Sequence, residues 1–250
     1  MTTAGRGWLS NGVAGLRIVG HLLTGPLLRR RRMSWGATSS DVEASWPGGE
    51  LIPDPAWTAT HAVTVAAPAE QVWPWVAQLG QGRGGFYSFE RLENLLGCQI
   101  RNADRVLPEH QDVAAAGEIR LAPQMAMRVA RVQSAADLVL VVDSRPGDDS
   151  RPGDDAGPGD DAGPGEPAAL VAGLWSLHLR PAPGGGTRLV ERLSYPRQRS
   201  ISQRIFSSRH LIEPISYVMS KEMLSNIRDL AQRREITSAS DEDLAQPSLL

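Results

Sequence analysis

The sequence predicts an α+β protein: one strand, two short helices, an antiparallel run of strands and a long closing helix. Three observations predict it. Thr60 to Ala66 alternates, with His61, Val63 and Val65 sharing one face, as a half-buried strand does. Segments of strand character, separated by turns, follow between Gly117 and Tyr195. Near the end, Ile212, Ile215, Met219, Met223, Ile227 and Leu230 fall on one helical stripe.

Each element has a local reason. Residues 34–57, rich in Gly, Pro, Ser and Trp, read as an extended lead-in wrapped on the body. Pro68 opens the first helix at its tolerated first-turn position, and Glu70 favours the dipole. Val72, Val76 and Leu79 keep helical spacing, and Pro74 is expected to kink or restart the helix. Gly80 to Gly85 breaks it. Phe86–Leu96 resumes the pattern through Phe89, Leu92, Glu93 and Leu96, and Gly97 is a natural stop. The strands are expected over Gly117–Ala122, Met125–Ala130, Asp137–Asp143, Leu170–Pro181 and Thr187–Tyr195, with a turn at Pro183–Gly186. Sequential antiparallel pairing in a meander is the simplest arrangement. Ile201 and Ile205 begin the last stripe, which Pro214 is expected to divide into a short helix and a longer one reaching Arg234. Twenty residues of helix span about 30 Å, enough to cross a small sheet.

Composition bounds the class. The 250 residues, 41% apolar and 22% charged, suit one globular domain. The net charge of −2 hides an asymmetry. Residues 1–33 hold six arginines and no acid, whereas residues 145–166 hold seven acids and two arginines. Only the arm is basic, which speaks against a nucleic-acid-binding body. A single cysteine, Cys98, can form no internal disulfide, which fits a reducing compartment such as the cytoplasm, the expected location, or indifference to redox.

The expected organisation is therefore a basic apolar arm (1–33), one domain (34–234) and a disordered polar tail (235–250). Residues 8–28 are mostly apolar and end in Arg29–Arg32, but Arg17 and His21 sit near their centre and Gly12, Gly15 and Gly20 weaken a helix. A spanning helix, an interfacial helix with its arginines on anionic headgroups, and a loosely ordered arm all stand as readings; peripheral contact with the inner face of a membrane through residues 8–32 is one of them. The repeat SRPGDD, SRPGDD, AGPGDD, AGPGEP, covering Ser144 to Pro167, has nothing to bury and reads as a disordered acidic insertion at a hairpin tip. Its spacing matches no EF-hand loop.

Chemistry is sparse. Gly80–Gly85 formally matches GxGxxG, but a dinucleotide site needs a strand before it and a helix directly after. A flexible turn carrying Phe86 and Tyr87 is the simpler reading. His21, His61, His110, His178 and His210 show no ligand spacing, so neither a metal nor a cofactor is expected. No nucleophile elbow is present. Asn102, Asp104, Arg105, Glu109 and His110 cluster after the second helix, where Asp104 and Arg105 suit tying down a loop. Glu191 is the anomaly, because it shares parity with Leu189, Leu193 and Tyr195 and should face inward. A buried carboxylate needs a partner or shifts its pKa upward. It reads as a general base with Tyr195 orienting or donating a proton, as an ion pair with Arg105 or Arg120, or, with the register off by one, as solvent-facing.

The block APAEQVWPWVAQLGQGRGGFYSFERLENLLG (Ala67 to Gly97), the following NADRVLPEHQ (Asn102 to Gln111), WGAT at Trp35–Thr38 and Gly49–Pro53 resemble uncharacterised bacterial members of the SRPBCC, or START-like helix-grip, superfamily near its polyketide cyclase/dehydrase group. The resemblance covers about residues 33–234. It implies a helix-grip fold, with a curved antiparallel sheet wrapped around the long carboxy-terminal helix and a cavity between them. Such cavities hold lipids, polyketides and other apolar molecules; some members catalyse cyclisation or dehydration and many only bind. Trp73, Phe86, Tyr87, Met125, Met127, Trp175, Met219 and Met223 are the candidate walls, with a place in the ordinary core as the equal alternative for each; methionine suits an adaptable pocket. An apolar small molecule is the expected partner.

Overall fold

The computed structural model describes residues 25–95, 97–144, 170–197 and 209–244. The arm before Gly25, the repeats after Ser144, Ile201, Ile205 and the last six residues lie outside the described residues.

Six antiparallel strands form one curved sheet in the order β1-β6-β5-β4-β3-β2. They are β1 Pro55–Val65, β2 Glu118–Ala122, β3 Met125–Gln133, β4 Asp137–Ser144, β5 Leu170–Pro181 and β6 Thr187–Pro196. The last five are the expected meander, and β1 closes against β6 from Pro55↔Pro196 to Val65↔Thr187. This partner explains why β1 starts before the alternating stretch. A strand runs as far as it finds a ladder, whatever its local pattern. Register shifts at Arg120/Ala122, Val129/Arg131 and Val142/Asp143 mark bulges, which bend the sheet.

Five α-helices are described: α1 Gly25–Met33, α2 Ser39–Glu43, α3 Ala69–Ala77, α4 Glu90–Leu95 and α5 Arg209–Leu244. In α3, Pro68 is the N-cap rather than the first helical residue, and the helix runs through Pro74 without restarting. The second helix is shorter than Phe86–Leu96. Tyr87 has φ +54, in the left-handed region, and a helix cannot pass through it. Gly97, at φ +85, ends α4 as expected; its N–H reaches the Asn94 carbonyl and that of Cys98 the Glu93 carbonyl. Pro214 lies inside α5, so the expected pair of helices is one.

The core lies between the sheet and the helices α3 and α5. Met223, Leu224, Ile227 and Ala231 of α5 join Val63, Leu177, Leu189 and Met127 of the sheet and Val72 and Val76 of α3. The opposite face is covered by the lead-in, which is more regular than expected. Thr38 and Asp41 form a capping box on α2, and Gly49–Leu51 is a 3₁₀ turn. Ile52 packs on Val139, Val141 and Leu174, while Arg188 of β6 binds Asp41 at 2.6 Å. The helix α1 docks on α5 through a forked pair from Arg29 to Glu213, with bonds of 2.8 and 3.0 Å.

Candidate functional site

Where β5, β6, α4 and α5 meet, side chains fail to fill the space. A cavity of about 320 Å³ remains, with Trp175, Leu193, Ile215, Met219, Met223 and Phe86 on its walls. The polar lining consists of Glu93, Glu191, Cys98 and the hydroxyls of Ser88, Ser216 and Ser220.

Glu191 faces inward, as its parity implies, and is 2% exposed. Its partner is not an arginine. One carboxyl oxygen accepts the Trp175 Nε1–H at 2.8 Å, and the other lies 3.0 Å from His61 Nδ1. The pair follows from register, because His61 is directly opposite Glu191 across β1 and β6. On its far side, His61 Nε2 is 2.8 Å from the Arg32 carbonyl, which only accepts. His61 therefore donates through Nε2, and its bond to Glu191 contains one proton shared between imidazole and carboxyl. This proton sits between the cavity wall and the end of α1.

Tyr195 is not brought to the cavity. It stacks on Trp57 with centroids 4.6 Å apart. Burial, and then the charge of Glu191, raise its pKa, so it is no better placed to lose a proton there.

Of the candidate walls, Phe86, Met125, Trp175, Met219 and Met223 line the cavity. Trp73, Tyr87 and Met127 do not; all three are buried in the main core. The Tyr87 hydroxyl accepts from Gln78 Nε2 at 2.7 Å and its carbonyl accepts from Asn226 at 2.7 Å, which turns it away.

Sequence reasoning missed Glu93. It occupies an apolar position of the Phe89–Glu93 helical pattern, and that was the available signal. The structure buries it to 5% exposure, and neither carboxyl oxygen has a hydrogen-bond partner among the described residues. Burial, reinforced by the neighbouring Glu90, pushes its pKa up to about 7.

The dense block from Gln78 to Gln111 is mostly architecture. Gly80 and Gly85 pair across a tight turn. Asn102 Oδ1 accepts from the N–H groups of Phe86 and Tyr87 at 3.0 and 2.8 Å, and its amide donates to the Ser88 carbonyl. The loop is also tied down at Arg105, through its carbonyl rather than its charge: Gln78 Nε2 donates to it at 3.0 Å. This scaffold places Phe86 and Ser88 at the cavity, and the GxGxxG segment serves as its turn.

A second polar cluster lies on the outer face of the sheet. His178 Nδ1 is 2.7 Å from Asp137, and Nε2 is 2.9 Å from Ser176 Oγ. The order Asp–His–Ser has the form of a nucleophilic triad, but Ser176 is 1% exposed and His178 fully buried beneath Trp46, whose ring stacks on it at 4.7 Å. No substrate reaches that serine. The cluster secures the lead-in to the sheet instead.

Among the described residues no group of three or more His, Cys, Asp or Glu is placed to hold a metal ion, and no helix is long and apolar enough to cross a membrane. Two of the four arginines of Arg29–Arg32 are engaged within the protein, Arg29 with Glu213 and Arg32 by burial to 4% exposure.

The architecture is a helix-grip fold, a curved antiparallel sheet packed against the long helix α5. No protein-family model and no curated protein matches the chain. Solved structures similar to it include a Streptomyces aromatase/cyclase (13% identity, 71% of this chain and 94% of that one, TM-score 0.39). Others are a polyketide-cyclase-like protein of Corynebacterium glutamicum (12%, 72% and 92%, TM-score 0.32) and a protein of Mesorhizobium loti (14%, 71% and 98%, TM-score 0.37). Likeness at this level decides nothing about ligand or activity. The architecture stands on the strand order, the bulged sheet and the packing of α5.

Proposed function

We propose that the protein binds an apolar small molecule, lipid- or polyketide-like, non-covalently in the cavity beside α5. The observation that carries this reading is the cavity of about 320 Å³ walled by Trp175, Phe86, Leu193 and three methionines. Its size falls at the lower end of small-molecule sites. A guest burying about 250 Å² of apolar surface gains roughly 6 kcal/mol before the cost of association. Methionine walls adapt to guests of different outline.

Native mass spectrometry of the purified protein tests this, together with a cavity-filling Met223→Trp variant. The wild type should retain or take up an apolar guest and the variant should not. A wild-type protein that carries nothing and takes up no apolar probe would sink the reading.

One observation favours a second reading, an acid–base enzyme of the cyclase or dehydratase kind: Glu191 lines the cavity and shares a proton with His61. Here Glu191 holds or moves that proton, with Tyr195 taking no part. Glu191→Gln should abolish turnover of any compound the protein converts. Unchanged turnover would remove Glu191 from the chemistry.

A further inference from the structure

Glu93 is a buried acid that the reading of an apolar container leaves without a role. Its two carboxyl oxygens are enclosed, lack hydrogen-bond partners among the described residues, and belong to a side chain on the cavity wall. An unsatisfied buried carboxylate is among the costlier features a fold retains. The groups sharing the cavity with it are Cys98, Glu191 and the hydroxyls of Ser88, Ser216 and Ser220. None of these carries a positive charge. Glu90 on the same helix adds a further negative charge nearby, and Glu191 is already satisfied by Trp175 and His61. The cavity is therefore apolar over most of its wall, with one unmatched acid.

Resting on the cavity reading, we propose that the guest is an apolar ammonium ion whose charged head is held by Glu93. An ammonium supplies several donors to a carboxylate that only accepts, and it cancels the charge that burial makes expensive. A hydroxyl would satisfy one lone pair and leave the charge in place. A fatty carboxylate would set like charges together in a water-poor site, which costs far more there than in solvent. The raised pKa of about 7 fits an acid without a counter-ion, and mildly alkaline solution ionises it.

Three probes with one chain length separate the possibilities: octylammonium, 1-octanol and octanoate, titrated calorimetrically into the full-length protein at about pH 8. Wild type should bind octylammonium at least tenfold more tightly than 1-octanol, and octanoate most weakly. Glu93→Gln, which keeps the shape and removes the charge, should lower octylammonium affinity tenfold or more while leaving 1-octanol within twofold. If wild type binds octylammonium no better than 1-octanol, or the variant keeps the preference, the ammonium inference is overturned and the cavity reading survives. If 1-octanol and the other two probes all fail to bind wild type, the cavity reading falls, and this inference with it.

Discussion

Two buried titrating groups give the protein opposite responses to pH. Burial drives His178 down to about 4 against the opposing bond from Asp137. Its unfolded form titrates near 6.5, so between about 6.5 and 4 the unfolded chain binds the extra proton. Stability from this group is whole above 6.5 and is lost as pH falls toward 4. In a Glu93→Gln background, where the opposing group is removed, urea unfolding at pH 7.5 and pH 4.5 should show a loss of about 2–3 kcal/mol, and adding His178→Gln should flatten that limb. Glu93 acts the other way. Its folded pKa of about 7 exceeds the unfolded 4.5, so the folded chain holds the proton in between. Its contribution is present below 4.5 and lost as pH rises through 7. Glu93→Gln should therefore stabilise the protein at pH 8 by about 1–2 kcal/mol and leave it nearly unchanged at pH 4.5. The inward direction of Glu191 was legible from parity, but its partner was not. His61 and Glu191 are 130 positions apart, and only the pairing of β1 with β6 sets them face to face.

At the scale of elements, the loop after α3 is held by a glycine that tolerates no side chain. Gly85 has φ +75, and a Cβ there would overlap Asn102 Oδ1, the acceptor that binds Phe86 and Tyr87. Gly85→Ala should cost about 2–3 kcal/mol through strain and the lost acceptor, read as a lowered denaturation midpoint. The lead-in behaves as a strap. Trp46 stacks on His178 and lies under the Arg180 guanidinium at 5.3 Å. Trp46→Ala should open the Asp137–His178–Ser176 cluster to water and return the His178 pKa toward its ordinary value, measurable by NMR titration. An unmoved His178 would show that the strap does not seal it. Much of this level was legible: Gly97 as a helix stop, the hairpin glycines, and the strands expected at Asp137–Asp143 and Leu170–Pro181, the first ending one residue later at Ser144, all follow from local stereochemistry. Pro74 and Pro214 were misleading. A proline forgoes one hydrogen bond, and packing on the core outweighs that loss in α3 and α5.

At the scale of the whole molecule, Ser144 and Leu170 are paired at the ends of β4 and β5, so the chain between them enters and leaves at one point of the sheet. Replacing residues 145–169 by a short hairpin turn should leave the folded state intact and raise stability by about 1 kcal/mol, since a shorter loop loses less entropy on closing. A thermal scan of that variant checks it, and a collapsed midpoint would mean the segment contributes to the fold. The amino-acid sequence by itself determined the six strands, α3, α4 and α5 and their order, but not α1 or the helical turns of the lead-in, because strand alternation, helical stripes and turn residues are short-range properties of the chain. Tertiary structure decided which residues share the cavity. Tyr87 and Met127 carry the same local pattern as Phe86 and Met125, yet they were drawn into the core by Gln78, Asn226 and the sheet's own packing. Whether an apolar side chain fills the interior or borders an empty part of it depends on the bend of the sheet and the seat of α5. No window of sequence contains both.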